Sequence, residues 1–468
     1  MWKPFYTPQP IVETVEPGYF EPVHPRPRER PMGLVGTVLG ARHNLIANWL
    51  KEHYRSHVDT FRIGPRQVVV ANTPESIKHV MATSNAIYER KSPQMRRALE
   101  FLLGDGLFIS DGETWRQRRP LVADIVHKSR LPRFAPTMTG SARDLVARWE
   151  TRASGETFDV HAEMAELTAE IIARTVFGSR LGRDAAAEVI GGFSEYQKRV
   201  DSFNLPFFLG VDDGFPVMRT RKLRKAVARV HAVVDQIVSR HLAGEGDADS
   251  MLELLVRRKR KSPELALDQA AIRHEAATIF MAGHETTAST LTWAWYCLAR
   301  APWIEERLHR ELDKVLGEHP PELTDLPDLP YTRAVIEETL RLYPPVPLLP
   351  RQAGRADRIG DVSVEKAALV LVVPWLLHRA VDLWDEPNRF LPERFLGDRP
   401  PPYTYVPFAA GPRICAGLAF GLTEATLCLA TLAQRFRLRL AQGVMVEPVC
   451  RLTLRPAGGL PVVAVPRR

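Results

Sequence analysis

The sequence predicts a mostly α-helical protein with a minor β-sheet portion. Over residues 74–316 almost every segment places apolar residues at helical spacing, and Gly, Pro and Asp separate these segments. Alternating, strand-like patterns are confined to TFRIGPRQVVVAN and to short pieces of residues 436–466. Although 468 residues could form two or three domains, the sequence has neither an internal repeat nor a linker. We therefore expect a single domain over residues 32–468.

The elements follow in order from a Pro-rich arm, residues 1–31, which is expected to lie extended on the surface. The arm lacks a continuous apolar run, so it is predicted to be neither a signal peptide nor a spanning helix. A helix is predicted over residues 44–57, and two strands are predicted to meet at Gly64-Pro65. A long buried helix over residues 265–300 and another over 418–434 complete the expected framework.

Composition is that of a globular protein, with 45% hydrophobic and 25% charged residues, and this excludes a disordered or fibrous class. The formal net charge of +8 permits an acidic partner, nucleic acid or an anionic membrane. Because the excess of arginine is diffuse, we expect no nucleic-acid partner, no membrane anchor and a monomer. The cysteines form no C-x-x-C pair, which favours a reducing, cytoplasmic location. They are Cys297, Cys415, Cys428 and Cys450.

The most informative segment is FAAGPRICAG, residues 408–417, which precedes a long apolar helix. A helix N-terminus stabilises a thiolate, and Gly411 and Gly417 permit close approach of a flat ligand. Arg413 can place a cation against a carboxylate of that ligand. An isolated Cys415 would be interpreted as a buried structural cysteine, as we interpret the other three. The spacing Phe-x-x-Gly-x-Arg-x-Cys-x-Gly, however, resembles the haem-binding signature of the cytochrome P450 family at every defined position.

That resemblance implies the single-domain cytochrome P450 fold and a haem b cofactor. Cys415 would be the axial thiolate and the metal ligand, and Phe408 and Arg413 would contact the cofactor. The implied activity is a haem-thiolate monooxygenase, which uses dioxygen and two electrons to hydroxylate or otherwise oxidise its substrate.

A second motif, AGHETT at residues 282–287, lies within the predicted long helix. Gly283 costs about 1 kcal/mol in a helix interior relative to alanine, and hydroxyls of Thr286 and Thr287 can bond backwards to carbonyls. One interpretation is a tolerated kink. The segment also resembles the oxygen-activation motif of the same family, in which Glu285 and Thr286 would be catalytic and relay protons to dioxygen.

Further motifs resemble the family in the expected order. ETLR at residues 338–341 and PERF at residues 392–395 resemble the elements that form a buried charge network behind the haem. WRQRR at residues 115–119 resembles the C-helix element whose indole and guanidinium reach a haem propionate. The network would comprise Glu338, Arg341 and Arg394, and the propionate partners would be Trp115, Arg119, Arg351 and Arg90.

The resemblance also implies a largely apolar pocket, and hence a hydrophobic small-molecule substrate. The sequence leaves open a fatty acid, a terpenoid or an aromatic compound, although GDGLF and AGHETT resemble bacterial fatty-acid hydroxylases most. Each lining residue could equally be ordinary core. The predicted lining residues are Leu103, Phe108, Phe280, Ala282, Val346, Leu348, Leu452 and Thr453.

Two other functions remain open at this point. A peroxide-driven haem-thiolate enzyme would not need an acid–alcohol pair, and the intact Glu285-Thr286 disfavours it. The same pair disfavours a haem-based sensor without turnover. No flavin or iron–sulfur segment is recognised, so a separate ferredoxin or flavodoxin, with its reductase and NAD(P)H, is expected to deliver electrons. Arg116, Arg118 and Lys128 are expected to face solvent and attract such an acidic partner.

Overall fold

The computed structural model describes residues 8–178, 188, 191–193, 195–196, 221–261, 267–450 and 452–467. Helices dominate these residues, which confirms the mostly α class with a minor β-sheet portion. The main helices are α1 (Leu34–His43), α2 (Pro74–Lys78), α3 (Pro93–Leu103), α4 (Gly112–Ile125), α5 (Leu131–Glu150), α6 (Val160–Phe177), α7 (Arg221–Leu242), α8 (Met251–Lys261), α9 (Gln269–Arg300), α10 (Pro302–Leu316), α11 (Pro330–Leu342), α12 (Pro374–Leu377) and α13 (Leu418–Arg435).

The strands form five small sheets within the described chain. The largest has the order β3-β4-β10-β7-β5, a smaller one has the order β11-β14-β6, and three hairpins pair β1 with β2, β8 with β9 and β12 with β13. Their bounds are β1 (Ile11–Glu16), β2 (Tyr19–Pro25), β3 (Val58–Ile63), β4 (Arg66–Ala71), β5 (Arg90–Lys91), β6 (Thr157–Asp159), β7 (Leu349–Gln352), β8 (Asp357–Ile359), β9 (Val362–Val364), β10 (Leu369–Val372), β11 (Phe436–Leu440), β12 (Pro448–Cys450), β13 (Leu454–Pro456) and β14 (Pro461–Pro466).

The five-stranded sheet contains the hairpin that the alternating segment predicts. Ile63 pairs with Arg66, so Gly64 and Pro65 form the turn between β3 and β4. Strand β4 pairs in parallel with β10, and both are rich in buried valine and leucine, as strands covered on both faces are. The other side of β10 pairs with β7, which in turn carries the two-residue strand β5.

Helix α9 is 32 residues long and is apolar on most of its surface, as expected of a helix enclosed by protein. The carboxylate of Asp268 caps it by accepting the N–H of Ala271. Helix α6 packs closely along it. A Cβ atom at Gly283 would lie only 2.7 Å from the terminal methyl carbon of Ile172, so glycine permits this close approach. The helix is continuous through AGHETT.

Two predictions about the N-terminal region are wrong in detail. Residues 11–25 form the hairpin β1–β2 instead of an extended arm, because Phe20 and Val23 are buried in the main core. The Val23 N–H donates to the Tyr296 hydroxyl over 3.0 Å, and the Tyr343 hydroxyl donates to the Val23 carbonyl over 2.7 Å. Residues 44–57 form two short 3-10 turns instead of one helix, since the Asn44 side chain bonds to the backbone of the C-terminal strand β12.

Candidate active site

A cavity of about 300 Å³ lies between helix α9, the segment that joins α3 to α4, and the loop that carries Cys415. Its wall is largely apolar, which suits a hydrophobic ligand. The charged groups on the wall fall into two sets. Four cations line the cavity together with Cys415, and the carboxylates of Glu285 and Glu424 belong to helices α9 and α13.

The loop before Cys415 is held in an unusual backbone conformation. Ala409 and Gly411 both have positive φ, at 60° and 68°. A Cβ atom at Gly411 would lie 1.9 Å from the Met81 carbonyl oxygen, so this position accepts only glycine. The Cys415 N–H donates to the Phe408 carbonyl over 2.9 Å, and this bond turns the sulfur towards the cavity.

Cys415 is exposed to the cavity that it lines, and protein atoms surround its sulfur. Burial raises its pKa, and the Gly417 N–H and the cations of Arg119 and Lys91 act in the opposite direction. The arrangement fits the predicted helix N-terminus, because Gly417 immediately precedes helix α13. These groups favour a thiolate once the sulfur has a cationic partner such as a metal ion.

The four cations are Lys91, Arg119, Arg351 and Arg413, and Trp115 lies among them. The guanidinium of Arg413 stacks over the Trp115 ring at 4.4 Å. Lys91 and Arg351 are directly opposite each other on strands β5 and β7, a like-charge pairing that is unfavourable without an anion. Burial, with nearby Arg413, lowers the pKa of Arg351 to about 10, and burial lowers that of Lys91.

These cations test whether the predicted haem fits the cavity. Buried charges are normally paired, since removal from water is costly. Arg413, however, donates one hydrogen bond to the Ser110 carbonyl, at 3.0 Å, and its other two guanidinium nitrogens are buried without a partner in the described chain. The two lining carboxylates are occupied with Thr453 and Thr287. A flat cofactor with two carboxylates would supply the missing anions, so the residues present fit a haem.

Arg90 is not part of this cluster, contrary to the prediction. Successive residues of a strand point to opposite faces, and on β5 it is Lys91 that lines the cavity. Arg90 lies 3.7 Å from the carboxylate of Asp111 and is largely exposed.

The predicted relay residues Glu285 and Thr286 both line the cavity. The Thr286 hydroxyl donates to the Ala282 carbonyl over 2.7 Å, so its lone pairs remain available on the cavity side. The Glu285 carboxylate accepts a hydrogen bond from the hydroxyl of Thr453, which comes from the turn between β12 and β13. The structure therefore brings an acid and an alcohol together at one wall.

The structure also brings together the three residues of the predicted buried network. Glu338 and Arg341 are completely buried and form two hydrogen bonds of 2.7 and 2.8 Å. Arg394 lies 3.5 Å from Glu338. Arg341 also donates to the carbonyls of His378, Pro387 and Arg389, and so it ties helix α11 to the segment that leads to the cysteine loop.

Five of the eight predicted lining residues line the cavity, namely Phe108, Ala282, Val346, Leu452 and Thr453. Three do not. Leu103 is wholly buried in the core at the end of α3, and Leu348 packs against the core while Leu349 reaches the wall. Phe280 points away because Ile279, Ala282 and Gly283 occupy the cavity face of α9. Its ring lies 4.5 Å from that of Phe193.

Sequence reasoning missed three polar residues around the cavity. Lys91 could have been found from the two-residue period of a strand, had so short a strand been recognised. Glu424 follows Cys415 within an apolar helix, where a lone acid signals a buried carboxyl. Arg118 was expected to face solvent, but it is buried and bonded to Asp105 and Glu275.

A scan against protein-family models matches residues 25–460 to the model described as "Cytochrome P450". Among curated proteins, the chain is 34% identical to cyclooctatin synthase of Streptomyces melanosporofaciens, over 87% of this chain and 88% of that one. It is 31% identical to cyclooctat-9-en-7-ol 5-monooxygenase of the same species, over 87% of each. It is 28% identical to pentalenene oxygenase of Streptomyces avermitilis, over 84% of this chain and 86% of the relative.

Among solved structures, the haem domain of cytochrome P450DA superposes with a TM-score of 0.75. The match covers 88% of this chain and 90% of that one at 23% sequence identity, which shows a shared fold. Within the described part of this chain, no helix has both the length and the apolar character needed to cross a bilayer.

Proposed function

The chain belongs to the cytochrome P450 family, and we propose that Cys415 is the residue that ligates its haem iron. As a family member it is a haem-thiolate monooxygenase that uses dioxygen, receives electrons from a redox partner and oxidises a hydrophobic molecule. A haem whose iron carries a cysteine thiolate supplies the activation of dioxygen. The observation that carries the assignment of Cys415 is its place on the wall of a cavity that also holds four cations, none of which forms an ion pair with a carboxylate of the described residues.

The residues around Cys415 would seat the cofactor. Lys91, Arg351 and Arg413 would neutralise its carboxylates, together with Arg119 and the indole N–H of Trp115. Phe408, whose carbonyl accepts the N–H of Cys415, would fix the sulfur beside it. The buried network of Glu338, Arg341 and Arg394 would hold the cysteine loop in place without taking part in the reaction.

Glu285 and Thr286 would move protons into the cavity during turnover. The hydrogen bond from the Thr286 hydroxyl to the Ala282 carbonyl fixes the orientation of the hydroxyl, so its oxygen remains able to accept a hydrogen bond at the cavity wall. Glu285 carries a carboxylate at the same wall, within reach of the Thr453 hydroxyl. The supporting fact is that Glu285 and Thr286, an acid and an alcohol next to each other on α9, both line the described cavity.

We propose a terpenoid, a neutral hydrocarbon framework with few polar groups, as the substrate. The named relatives include an oxygenase of pentalenene and a monooxygenase of cyclooctat-9-en-7-ol. Once the four cations are assigned to the cofactor, the described wall offers no further cation for a fatty-acid carboxylate. A neutral, compact substrate suits the apolar remainder of the wall better than a fatty acid does.

The electron donor is proposed to be a separate ferredoxin or flavodoxin, reduced by NAD(P)H through its own reductase. We further propose a cytoplasmic monomer in which residues 32–468 form one haem-binding domain, with the hairpin β1–β2 of the Pro-rich segment packed on its core. The scattered cysteines favour a reducing compartment, and one large core cluster that extends from Phe20 to Val462 favours a single domain.

The experiment that tests the central proposal is the spectrum of the reduced, carbon-monoxide-bound protein. Cys415→Ala should lose the red-shifted band of thiolate ligation, whereas Cys428→Ala, which removes a buried sulfur from the same region of helix α13, should keep it. A Cys415→Ala protein that retains the thiolate band would show that another residue is the ligand.

A further inference from the structure

Residues 104–108, between helices α3 and α4, carry two residues of the cavity wall, Leu107 and Phe108. Ser110, two residues after this segment, also reaches the cysteine loop, because its carbonyl accepts a hydrogen bond from Arg413. The shape of the cavity therefore depends on what holds the segment in position.

The segment is held to helix α9 by the buried carboxylate of Glu275. The N–H of Leu107 donates to both of its oxygens, at 3.0 and 3.2 Å. Arg118 of helix α4 donates to the same carboxylate at 3.1 Å. One side chain of α9 thus binds the backbone of the wall segment and the guanidinium of the helix that follows it.

Asp105 forms a second layer of the same cluster. Arg118 donates to its backbone carbonyl over 2.8 Å and to its carboxylate at 2.8 and 2.9 Å. His274 of α9 also bonds to this carboxylate, at 3.0 Å from the Oδ1 atom that Arg118 contacts. Together, these four residues form the Glu275 cluster: Asp105, Arg118, His274 and Glu275.

Two glycines let the segment lie directly against helix α9. A Cβ atom at Gly104, whose φ is +55°, would lie 2.1 Å from the His274 ring. A Cβ atom at Gly106 would lie 2.1 Å from the Thr278 hydroxyl. The contact is therefore tight, and a carboxylate inside it must be satisfied by hydrogen bonds.

Glu275 is 1% exposed, and the proposed roles in haem binding and proton transfer make no use of it. Burial raises its pKa to about 7, while Arg118 and the Leu107 N–H favour its ionised form. A buried acid is a weak source of net stability, since desolvation offsets its bonds. Its bonds, however, fix the geometry of everything attached to it.

We propose that Glu275 and Arg118 are positioning residues for substrate specificity, because they fix Leu107 and Phe108 at the cavity wall. This inference rests on the proposed function, in which that wall contacts the substrate. Loss of the cluster would let the segment move away from α9 and widen the cavity, while the cysteine loop and the relay residues keep their own contacts.

The test compares Glu275→Leu with Glu305→Leu in the haem-loaded protein. Glu305 is an equally buried acid, paired with Arg437 and Arg439 elsewhere in the fold, so it controls for general destabilisation. The first measurement is hydrogen–deuterium exchange of the backbone amides of residues 105–108. The second is the affinity for 4-phenylimidazole and for imidazole, read from the haem spectrum.

Glu275→Leu should raise exchange at residues 105–108 by about ten- to one-hundred-fold, the factor expected for loss of a charged hydrogen bond. It should weaken the affinity for 4-phenylimidazole, whose ring reaches the wall, and leave the affinity for imidazole within about two-fold of the wild-type value. Glu305→Leu should change neither reading. Glu275→Gln keeps an oxygen for the Leu107 N–H but loses the charge opposite Arg118, and it should fall in between.

Unchanged exchange in Glu275→Leu would overturn the inference. Faster exchange with an unchanged ratio of the affinities for 4-phenylimidazole and imidazole would also overturn it. The cluster would then stabilise the segment without shaping the site. Failure of the proposed function looks different: the wild-type protein would show no azole-induced spectral shift, although the exchange measurement would still report on the cluster.

Discussion

The Thr287 hydroxyl donates a hydrogen bond to the Glu424 carboxyl over 3.3 Å, and this bond joins helix α9 to the helix that follows Cys415. Glu424 is completely buried, and its other oxygen has no partner in the described chain. Burial raises the pKa of Glu424 to about 8, with only the Thr287 hydroxyl acting against it. The raised pKa favours the protonated, uncharged form of Glu424 at neutral pH.

The first prediction follows from that raised pKa. Between about pH 5 and pH 8 the native state keeps a proton on Glu424 that the unfolded chain releases, so the free energy of unfolding falls as pH rises. The contribution to the slope is at most about 1.4 kcal/mol per pH unit. Glu424→Gln should flatten the slope measured by urea unfolding, and Glu318→Gln, at an exposed acid, should leave it unchanged. Equal slopes in all three proteins would contradict a buried, protonated Glu424.

The second prediction concerns Gly283, where an added Cβ atom would meet Ile172 at 2.7 Å. Alanine gains about 1 kcal/mol over glycine in a helix, whereas overpacking costs about 1–3 kcal/mol. Gly283→Ala should therefore be neutral or destabilising in the wild-type chain. In an Ile172→Ala background, which lacks both Cδ1 and Cγ1 and so the two close contacts, the same change should stabilise by about 1 kcal/mol. Equal effects in the two backgrounds, measured by urea unfolding, would show that the glycine is not needed for the approach of α6.

Gly283 also illustrates what a sequence leaves undetermined. Its position in AGHETT predicts a helix with a local weakness, and the helix is there, but the reason for the glycine is contact with a helix more than one hundred positions away in sequence. The signature around Cys415 fixes fold class and family because many residues must agree in spacing. Ile279 and Phe280 are adjacent in sequence and lie only about 100° apart around helix α9. Periodicity alone therefore does not show which of the two faces the cavity.

The polar residues missed by sequence reasoning share one physical cause. Arg118 and Lys91 look like surface residues in the sequence, because charged side chains usually are. Arg118 is buried through Glu275, a partner distant in sequence, and half-buried Lys91 lies at the cavity wall, where its proposed partner is a carboxylate of the cofactor. The sequence does not show either partner, whereas the Glu338–Arg341 pair, three residues apart on one helix, was recognisable.

The third prediction concerns proton transfer. Thr286→Ala removes the hydroxyl at the cavity wall but leaves the apolar wall intact, so substrate affinity should stay within about two-fold of wild type. Product formed per electron pair should fall several-fold, with a matching rise in hydrogen peroxide. Thr286→Ser, which keeps a hydroxyl, should recover most of the yield. An unchanged product yield per electron pair in Thr286→Ala would remove Thr286 from the relay.

The fourth prediction concerns two phenylalanines that the sequence predicts to line the cavity. In the structure only one of them does. Phe108 lies on the cavity wall, 4.5 Å from the ammonium of Lys91, and Phe280 is buried away from it. Phe108→Ala should change the ratio of oxidation products, because it opens space beside the substrate. Phe280→Ala should cost about 3–5 kcal/mol of stability and leave that ratio unaltered. The same product ratio in Phe108→Ala and wild type would place Phe108 outside the substrate site.

The fifth prediction concerns the electron donor, and it depends on which cations of helix α4 reach solvent. Arg118 is occupied by Glu275 and Asp105, and Arg119 lines the cavity. Arg116 remains largely exposed, with Glu89 and Glu113 no closer than 3.6 Å, and Lys128 is exposed after the helix. Since α4 also carries Trp115 on the cavity wall, Arg116 lies on the helix that leads from the surface to the proposed cofactor, and Lys128 lies in the turn that follows that helix.

An acidic ferredoxin or flavodoxin would be steered to such a surface, because complementary charge mainly accelerates encounter. Reversal of Arg116 and Lys128 to Glu should slow reduction several-fold at low salt. The difference should shrink as ionic strength approaches 0.1 M, where the screening length is about 10 Å. Reversal of Arg358, an exposed cation on strand β8, should have little effect and serves as the control. If neither the paired reversal nor the salt concentration changes the rate of reduction, the donor docks elsewhere on the protein.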